Sequence, residues 1–193
     1  MKIPLPCLSL GHSLCDCGFT KYIVHSRELT CESEPQKMKP ILDACCGSRM
    51  FWFNKQNPNT VFCDNRIVVD TLCDGRTLRV EPDVLCDFKA LPFPDESFYL
   101  VVFDPPHLKV AGEKGWQAKK YGVLPKDWKE ELKRGFDECF RVLRPFGTLV
   151  FKWSSVQIPL SEVLKLTPVP PLFGDRRSGK KDAQWVIFMK GGL

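Results

Sequence analysis

No stretch of this 193-residue chain approaches the roughly 18 consecutive apolar residues that a bilayer-spanning helix needs, so nothing in it reads as a membrane protein. It has no internal repeat and no low-complexity segment, which sets aside solenoids and arrays. Two glycine motifs are missing as well. The three-glycine fingerprint that seats a pyrophosphate on a helix N-terminus is absent, which argues against a dinucleotide cofactor. A Walker-type loop ending in lysine is also absent, so a phosphate cradle of that kind is not expected.

What is present fits one globular domain plus an extension, with 44% hydrophobic and 26% charged residues and enough length to bury a substantial core. The net charge of +5 is mildly basic and compatible with a nucleic-acid substrate. Of the ten cysteines, Cys45, Cys46, Cys63, Cys86 and Cys139 lie inside or beside apolar segments and read as small, reduced core residues. Met1 to Pro6 has the charged and apolar parts of a signal peptide, but two prolines and His12 interrupt it, and a cytoplasmic location is expected. Residues 1–38 form a cysteine-rich extension with Cys7, Cys15, Cys17, Cys31, His12 and His25. Thiolates and imidazoles suit zinc, yet Cys15-Asp16-Cys17 is tighter than the usual two-residue gap and no second pair follows, so no metal site is expected.

Residues 39–193 alternate strand and helix, the pattern of βα units around a parallel sheet. Strands are predicted at Ile41 to Asp43, Thr60 to Asp64, Asp83 to Asp87, Phe98 to Asp104 and Gly147 to Trp153. A pair at Thr167 to Leu172 and Gln184 to Met189 is predicted to close the sheet, joined by a basic loop. The spacing of Trp128, Leu132, Phe136, Cys139, Phe140 and Leu143 predicts a helix over Asp127 to Leu143, stopped by Pro145 and Gly147.

The most informative segment is Asp104-Pro105-Pro106-His107, which follows the apolar run Phe98 to Phe103. Proline fixes its own φ and forces the preceding residue into extended geometry, so a carboxylate is held at the mouth of a buried strand with few alternatives. Upstream, Asp43-Ala44-Cys45-Cys46-Gly47 follows the first strand, where one glycine lets backbone approach a ligand closely. Asp64-Asn65 and Asp87-Phe88 end the second and third strands. In open α/β sheets ligands bind beyond the carboxyl ends of the strands, and acidic tips there can accept from a ribose diol and an adenine amine. Successive acidic tips fit an adenosine-containing cofactor without phosphates.

These segments resemble the class I, Rossmann-like S-adenosylmethionine-dependent methyltransferases. The likeness is greatest to those acting on amines of nucleic-acid bases, and within them to small phage and prophage enzymes. Ile41 to Gly47 is similar to the family's first motif, though Cys45 and Arg49 stand where glycines are frequent. Leu91 to Phe98 resembles the lead into the fourth strand, and Arg141 to Gly147 the helix exit before the fifth, with Phe146 where a glycine is usual. Asp104 to His107 is similar to the Asp/Asn-Pro-Pro-aromatic signature, with His107 replacing the usual larger ring. The resemblance implies a seven-stranded, mostly parallel sheet with an antiparallel last strand and helices on both faces. It also implies S-adenosylmethionine as cofactor, held by Asp43, Ala44, Cys45, Gly47, Asp64, Asn65, Asp87 and Phe88.

In that role the Asp104 carboxylate and the Pro105 carbonyl would each accept one N–H of an exocyclic amine, localising its lone pair for in-line attack on the methyl group. His107 would stack on the base, which must be flipped out or already single-stranded. Lys109, Lys114, Trp116, Lys119, Lys120 and Tyr121 form a basic, aromatic strip, and Arg176, Arg177 and Lys180 a second basic cluster, both expected to meet nucleic acid. No insertion is large enough to read a base sequence, so specificity would need a partner subunit. The expectation is transfer to a DNA or RNA base, DNA adenine N6 favoured. A protein or small-molecule amine is the alternative substrate, and a non-catalytic module that keeps the fold is the alternative class.

Overall fold

The computed structural model describes residues 22–24, 27–29, 39–72, 74–112, 115–175 and 183–191. Predictions for Cys7, Cys15, Cys17, Cys31, His12, His25, Lys114, Arg176, Arg177 and Lys180 lie outside the described residues. Among the described residues no helix is long and apolar enough to cross a membrane. The chain divides into two compact units, Met1–Lys37 and Met38–Leu193. In the first, β1 (Tyr22–Val24) and β2 (Arg27–Leu29) form an antiparallel hairpin.

The second unit holds β3 (Ile41–Asp43), β4 (Thr60–Asp64), β5 (Val68–Thr71), β6 (Thr77–Val80), β7 (Val84–Leu85) and β8 (Phe98–Phe103). Helices α1 (Trp116–Tyr121) and α2 (Trp128–Val142), strand β9 (Leu143–Ser154), helix α3 (Leu160–Val163) and strands β10 (Phe173–Gly174) and β11 (Ala183–Met189) follow. Seven strands make one sheet in the order β10-β11-β9-β8-β3-β4-β7. The last strand, β11, runs antiparallel between β9 and β10, and the remaining strands are parallel. This is the Rossmann-like, mostly parallel sheet expected from the sequence.

The α2 helix forms where the apolar spacing predicted it. Glu130 and Glu131 in its first turn and Arg141 in its last oppose the backbone dipole favourably. Its stripe of Leu132, Phe136, Cys139 and Phe140 packs on Val101, Phe103, Leu149, Phe151 and Phe188 of the sheet. Phe136 lies 4.9 Å from Phe151 and 5.3 Å from Phe103, ring to ring. Each side chain so buried contributes roughly 1.5–3 kcal/mol relative to exposure. Gly135 sits mid-helix despite its propensity cost because a Cβ there would lie 2.7 Å from Phe103 Cζ and Phe88 Cδ2.

Other connections differ from the expected alternation. Among the described residues, the links from β3 to β4 and from β7 to β8 carry turns rather than helices, and β4 reaches β7 through the antiparallel hairpin β5–β6. That hairpin turns at Asp74-Gly75, with Gly75 at φ +81°, and buries its own small cluster of Leu72, Leu78 and Val80. Along β9 the residues facing α2 are buried, whereas Val150 and Lys152, on the opposite face, are half-buried. Phe51 and Trp52, from the loop after β3, lie on that second face, against Trp185 at 5.4 Å and Phe62 at 5.1 Å. The strand predicted at Thr167 to Leu172 is corrected to Phe173–Gly174. Pro168, Pro170 and Pro171 have no N–H to give to a ladder, and pairing begins where they end, with Leu172 N donating to Ile187 O at 2.7 Å.

Candidate active site

From β3 the chain steps outward through β4 to β7, and from β8 it steps the opposite way to β9, while β3 and β8 are neighbours. The loops leaving β3 and β8 therefore diverge and open a crevice at the carboxyl ends of the strands. Ala44, Cys45, Gly47, Asp64, Asn65, Phe88 and Asp104 to His107 all line this cleft, of about 670 Å³ counting space open to solvent. Cys46, Ser48, Met50, Phe51, Arg66, Lys120 and Tyr121 complete its wall.

Each wall is fixed by local hydrogen bonds. Gly47, at φ +49°, turns the first loop, and nothing lies within 4 Å of where a Cβ would project. Its N–H donates to Asp64 Oδ2 at 2.9 Å, while Arg66 N and Nε donate to Asp64 Oδ1 at 3.0 and 3.1 Å. Asp64 thus ties the first two loops together and keeps acceptor capacity on Oδ2. Burial pushes the Cys45 thiol well up and the Cys46 thiol to about 12, so both stay protonated and unreactive at neutral pH.

Asp43 lies beneath the cleft, fully buried and outside its wall. Trp52 Nε1 donates to its Oδ2 at 2.7 Å and Cys45 N to its Oδ1 at 3.3 Å. Burial raises its pKa to about 7 against those hydrogen bonds, with Asp104 and Asp64 adding repulsion. Asp87 also lies outside the wall; Lys89 N donates to its Oδ1 at 2.9 Å and the Lys89 ammonium pairs with Oδ2 at 3.3 Å. From that segment Phe88 faces the cleft instead.

Asp104 stands at the tip of β8, and the parallel pairing of Phe103 with Phe151 sets Lys152 of β9 beside it. The Lys152 ammonium donates to Asp104 Oδ2 at 2.7 Å. Burial raises the Asp104 pKa, and Lys152 works against that rise. His107 is half-buried, 5.3 Å from the Tyr121 ring, and burial followed by the Lys152 charge lowers its pKa. Its ring is therefore neutral near pH 7, which suits a stacking surface. Lys152, Phe51 and Arg66 were not singled out from the sequence; the alternating pattern of β9 beside β8 was the available signal for Lys152.

Of the basic strip, Lys120 lines the cleft, near Trp116 and Tyr121 at 5.9 and 5.1 Å. Lys119 faces away and pairs with Asp70 of the hairpin at 2.5 Å. Lys109 lies 6.0 Å from the Trp128 ring, and Trp116 is exposed. Two departures from the expected glycine pattern have a structural counterpart. Arg49 and Phe146 both adopt positive φ, at 54° and 60°, a conformation in which glycine is unstrained. Arg49 is held there by Lys55 O, Glu81 O and Asp83, and by contact with the Phe62 ring at 3.8 Å.

No family model and no curated protein matches the chain. Solved structures do resemble it. A SAM-dependent methyltransferase from Methanosarcina mazei is 14% identical, with 78% of this chain and 91% of that one covered and a TM-score of 0.48. The 1,6-didemethyltoxoflavin-N1-methyltransferase of Burkholderia thailandensis, with 1,6-didemethyltoxoflavin and S-adenosylhomocysteine bound, is 15% identical, covering 79% and 71%, with a TM-score of 0.46. A SAM-dependent methyltransferase from Leishmania major is 12% identical, covering 77% and 63%, with a TM-score of 0.45. At these values the functional reading rests on the cleft itself.

Proposed function

We propose that this chain is an S-adenosylmethionine-dependent N-methyltransferase acting on an exocyclic amine of a nucleic-acid base, with DNA adenine N6 as the favoured acceptor. The observation that carries the reading is a single cleft at the strand-order switch, walled on one side by Ala44 to Ser48 and Asp64 and on the other by Asp104 to His107.

The residues fit the cofactor. Asp64 retains acceptor capacity for a ribose hydroxyl, Phe88 offers an apolar wall for adenine, and the open space before Gly47 suits close approach of backbone to a ligand. Bound there, the cofactor supplies an electrophilic methyl group. The chain supplies position and charge. Asp104 accepts an N–H of the acceptor amine, Pro105 O is the second acceptor, and the neutral His107 ring stacks on the base. Substrate contact is assigned to Lys120, with Lys109, Trp116 and Lys119 as further contacts, and to Lys114, Arg176, Arg177 and Lys180, which lie outside the described residues. Lys119 is the weakest member because Asp70 already neutralises it.

The test is incubation with methyl-labelled S-adenosylmethionine and, separately, unmethylated DNA, RNA and total protein, followed by mass analysis of nucleosides and amino acids. Label in a base amine, lost in Asp104→Ala while cofactor affinity stays within a few fold, is the expected result. Label confined to a protein or small-molecule amine would overturn the nucleic-acid assignment, and absence of both label and cofactor binding would overturn the enzyme assignment.

A further inference from the structure

The Asp104 carboxylate poses a chemical problem that the cleft must solve. An acceptor for an amine N–H has to be ionised, or at least present a bare oxygen, yet Asp104 is withdrawn from water and burial favours its protonated form. Other groups near it leave the difficulty in place. Asp43, at the end of β3, is a second carboxyl group, itself raised in part by the Asp104 charge, and the Cys45 thiol and the His107 ring are neutral at pH 7, so none of the three offsets the burial of Asp104. Among the described residues, the cation paired with it is Lys152.

We propose that Lys152 is a positioning residue of the methyl-transfer site, holding Asp104 ionised and fixed through Oδ2 so that Oδ1 stays available to the acceptor amine. The assignment rests on the functional reading above for its purpose, but its physical content is independent of any substrate.

Three observations support it. The contact is short, at 2.7 Å, and both side chains are about four-fifths covered, with exposures of 20% and 22%, so solvent screens the pair far less than a surface ion pair. It is also directional: Lys152 donates to Oδ2, and no described residue donates to Oδ1. Finally, the lysine is itself constrained. Its Cα neighbour across β11 is Trp185, and its ammonium lies 5.8 Å from the Trp185 ring and 5.3 Å from the Phe51 ring. Those ring faces favour a cation and restrict the long side chain. Strand register on one side and aromatic contacts on the other therefore aim the charge at one carboxylate oxygen, where a freely rotating surface lysine would give up entropy to stay. The register also makes the contact a property of the fold, since Phe103 and Phe151 are paired one residue earlier.

The experiment is a pH titration of the Asp104 side-chain carboxyl by carbon NMR on aspartate-labelled protein, with the resonance assigned by its loss in Asp104→Asn. It is run without cofactor or substrate on wild type, Lys152→Met and Lys152→Arg. Lys152→Met is expected to raise the midpoint by about one pH unit or more, a roughly tenfold change in the ratio of ionised to protonated carboxyl at fixed pH, and Lys152→Arg to restore it to within a few tenths. Lys152→Gln, which keeps a polar head without charge, serves in place of Met if the latter does not fold, with the same rise expected. A midpoint that neither neutral variant moves overturns the proposal. If a labelled product has been found, transfer by Lys152→Met should lose turnover rather than cofactor affinity and recover as pH rises. Because the titration needs no turnover, an enzyme that proves to act on another substrate, or on none, leaves this result standing or falling by itself.

Discussion

Asp43 offers a quantitative test of how the first loop is built. Its carboxyl is fully buried, and its pKa is raised from the ordinary 3.8 to about 7, chiefly by burial. The sign follows from linkage. Between those two values the unfolded chain has released the proton and the folded chain has kept it, so stability falls as pH rises and levels off above about 7. Each pH unit is worth about 1.4 kcal/mol, so this residue alone removes on the order of 3 kcal/mol between pH 5 and pH 7. Asp43→Asn mimics the protonated acid: its amide oxygen can still accept from Trp52 Nε1, and the bond it disturbs, from Cys45 N, is the long one at 3.3 Å. The assay is denaturant unfolding of both proteins at about pH 5, 6, 7 and 8, read as the difference between them so that other titrating groups cancel. The variant should gain steadily on wild type, by about 3 kcal/mol over that range, with no further gain above it. Parallel stability curves for the two proteins would refute the reasoning, because they would mean that Asp43 is ionised in the folded state throughout.

Two further expectations concern packing and the cleft. Gly135→Ala should gain about 1 kcal/mol of helix propensity yet destabilise the protein overall, because overpacking costs roughly 1–3 kcal/mol and the new methyl would press on Phe103 and Phe88 at 2.7 Å; a raised melting temperature would contradict the close approach of α2 to the sheet. Asp64→Ala should release Gly47 N–H and Arg66 together and weaken S-adenosylhomocysteine binding by about tenfold or more in calorimetry, about 1.4 kcal/mol, and unchanged affinity would remove Asp64 from the cofactor site.

The parallel strands of the sheet and α2 were legible because their signals are local: apolar runs of strand length and a three-and-four spacing. The hairpin β5–β6 has its own local signal, Asp74-Gly75 between alternating apolar residues, which a general alternation of strand and helix does not include. The prolines before Phe173 carried the correction to the penultimate strand in plain view. In the cleft, the residues named from the loop after β3 and from Asp104 to His107 converge, except that Asp43 lies beneath the wall and Asp87 beside it. Acidic residues at strand ends look alike in a sequence, and which of them turns toward a cavity depends on the partners they find. Asp43 finds Trp52, nine residues on, and Asp87 finds Lys89, two residues on. Lys152 illustrates the opposite limit. Its partner lies 48 residues away and meets it only through strand register, which no local pattern announces.

The helix-free connections on one half of the sheet change where a ligand's binding energy goes. In the half built from β8, β9 and α2, the strands are clamped by a layer of buried aromatic side chains that is complete in the protein alone. In the other half, β4 and the two-residue edge strand β7 are secured by point fastenings: Asp83 receives Lys39 and Arg49, and Asp64 receives Gly47 and Arg66. A molecule seated between those fastenings would tie them to one another. Its binding would be felt less as a lock on one pocket than as slower hydrogen exchange across a whole flank of the sheet, making occupancy of the cleft part of what holds the fold closed.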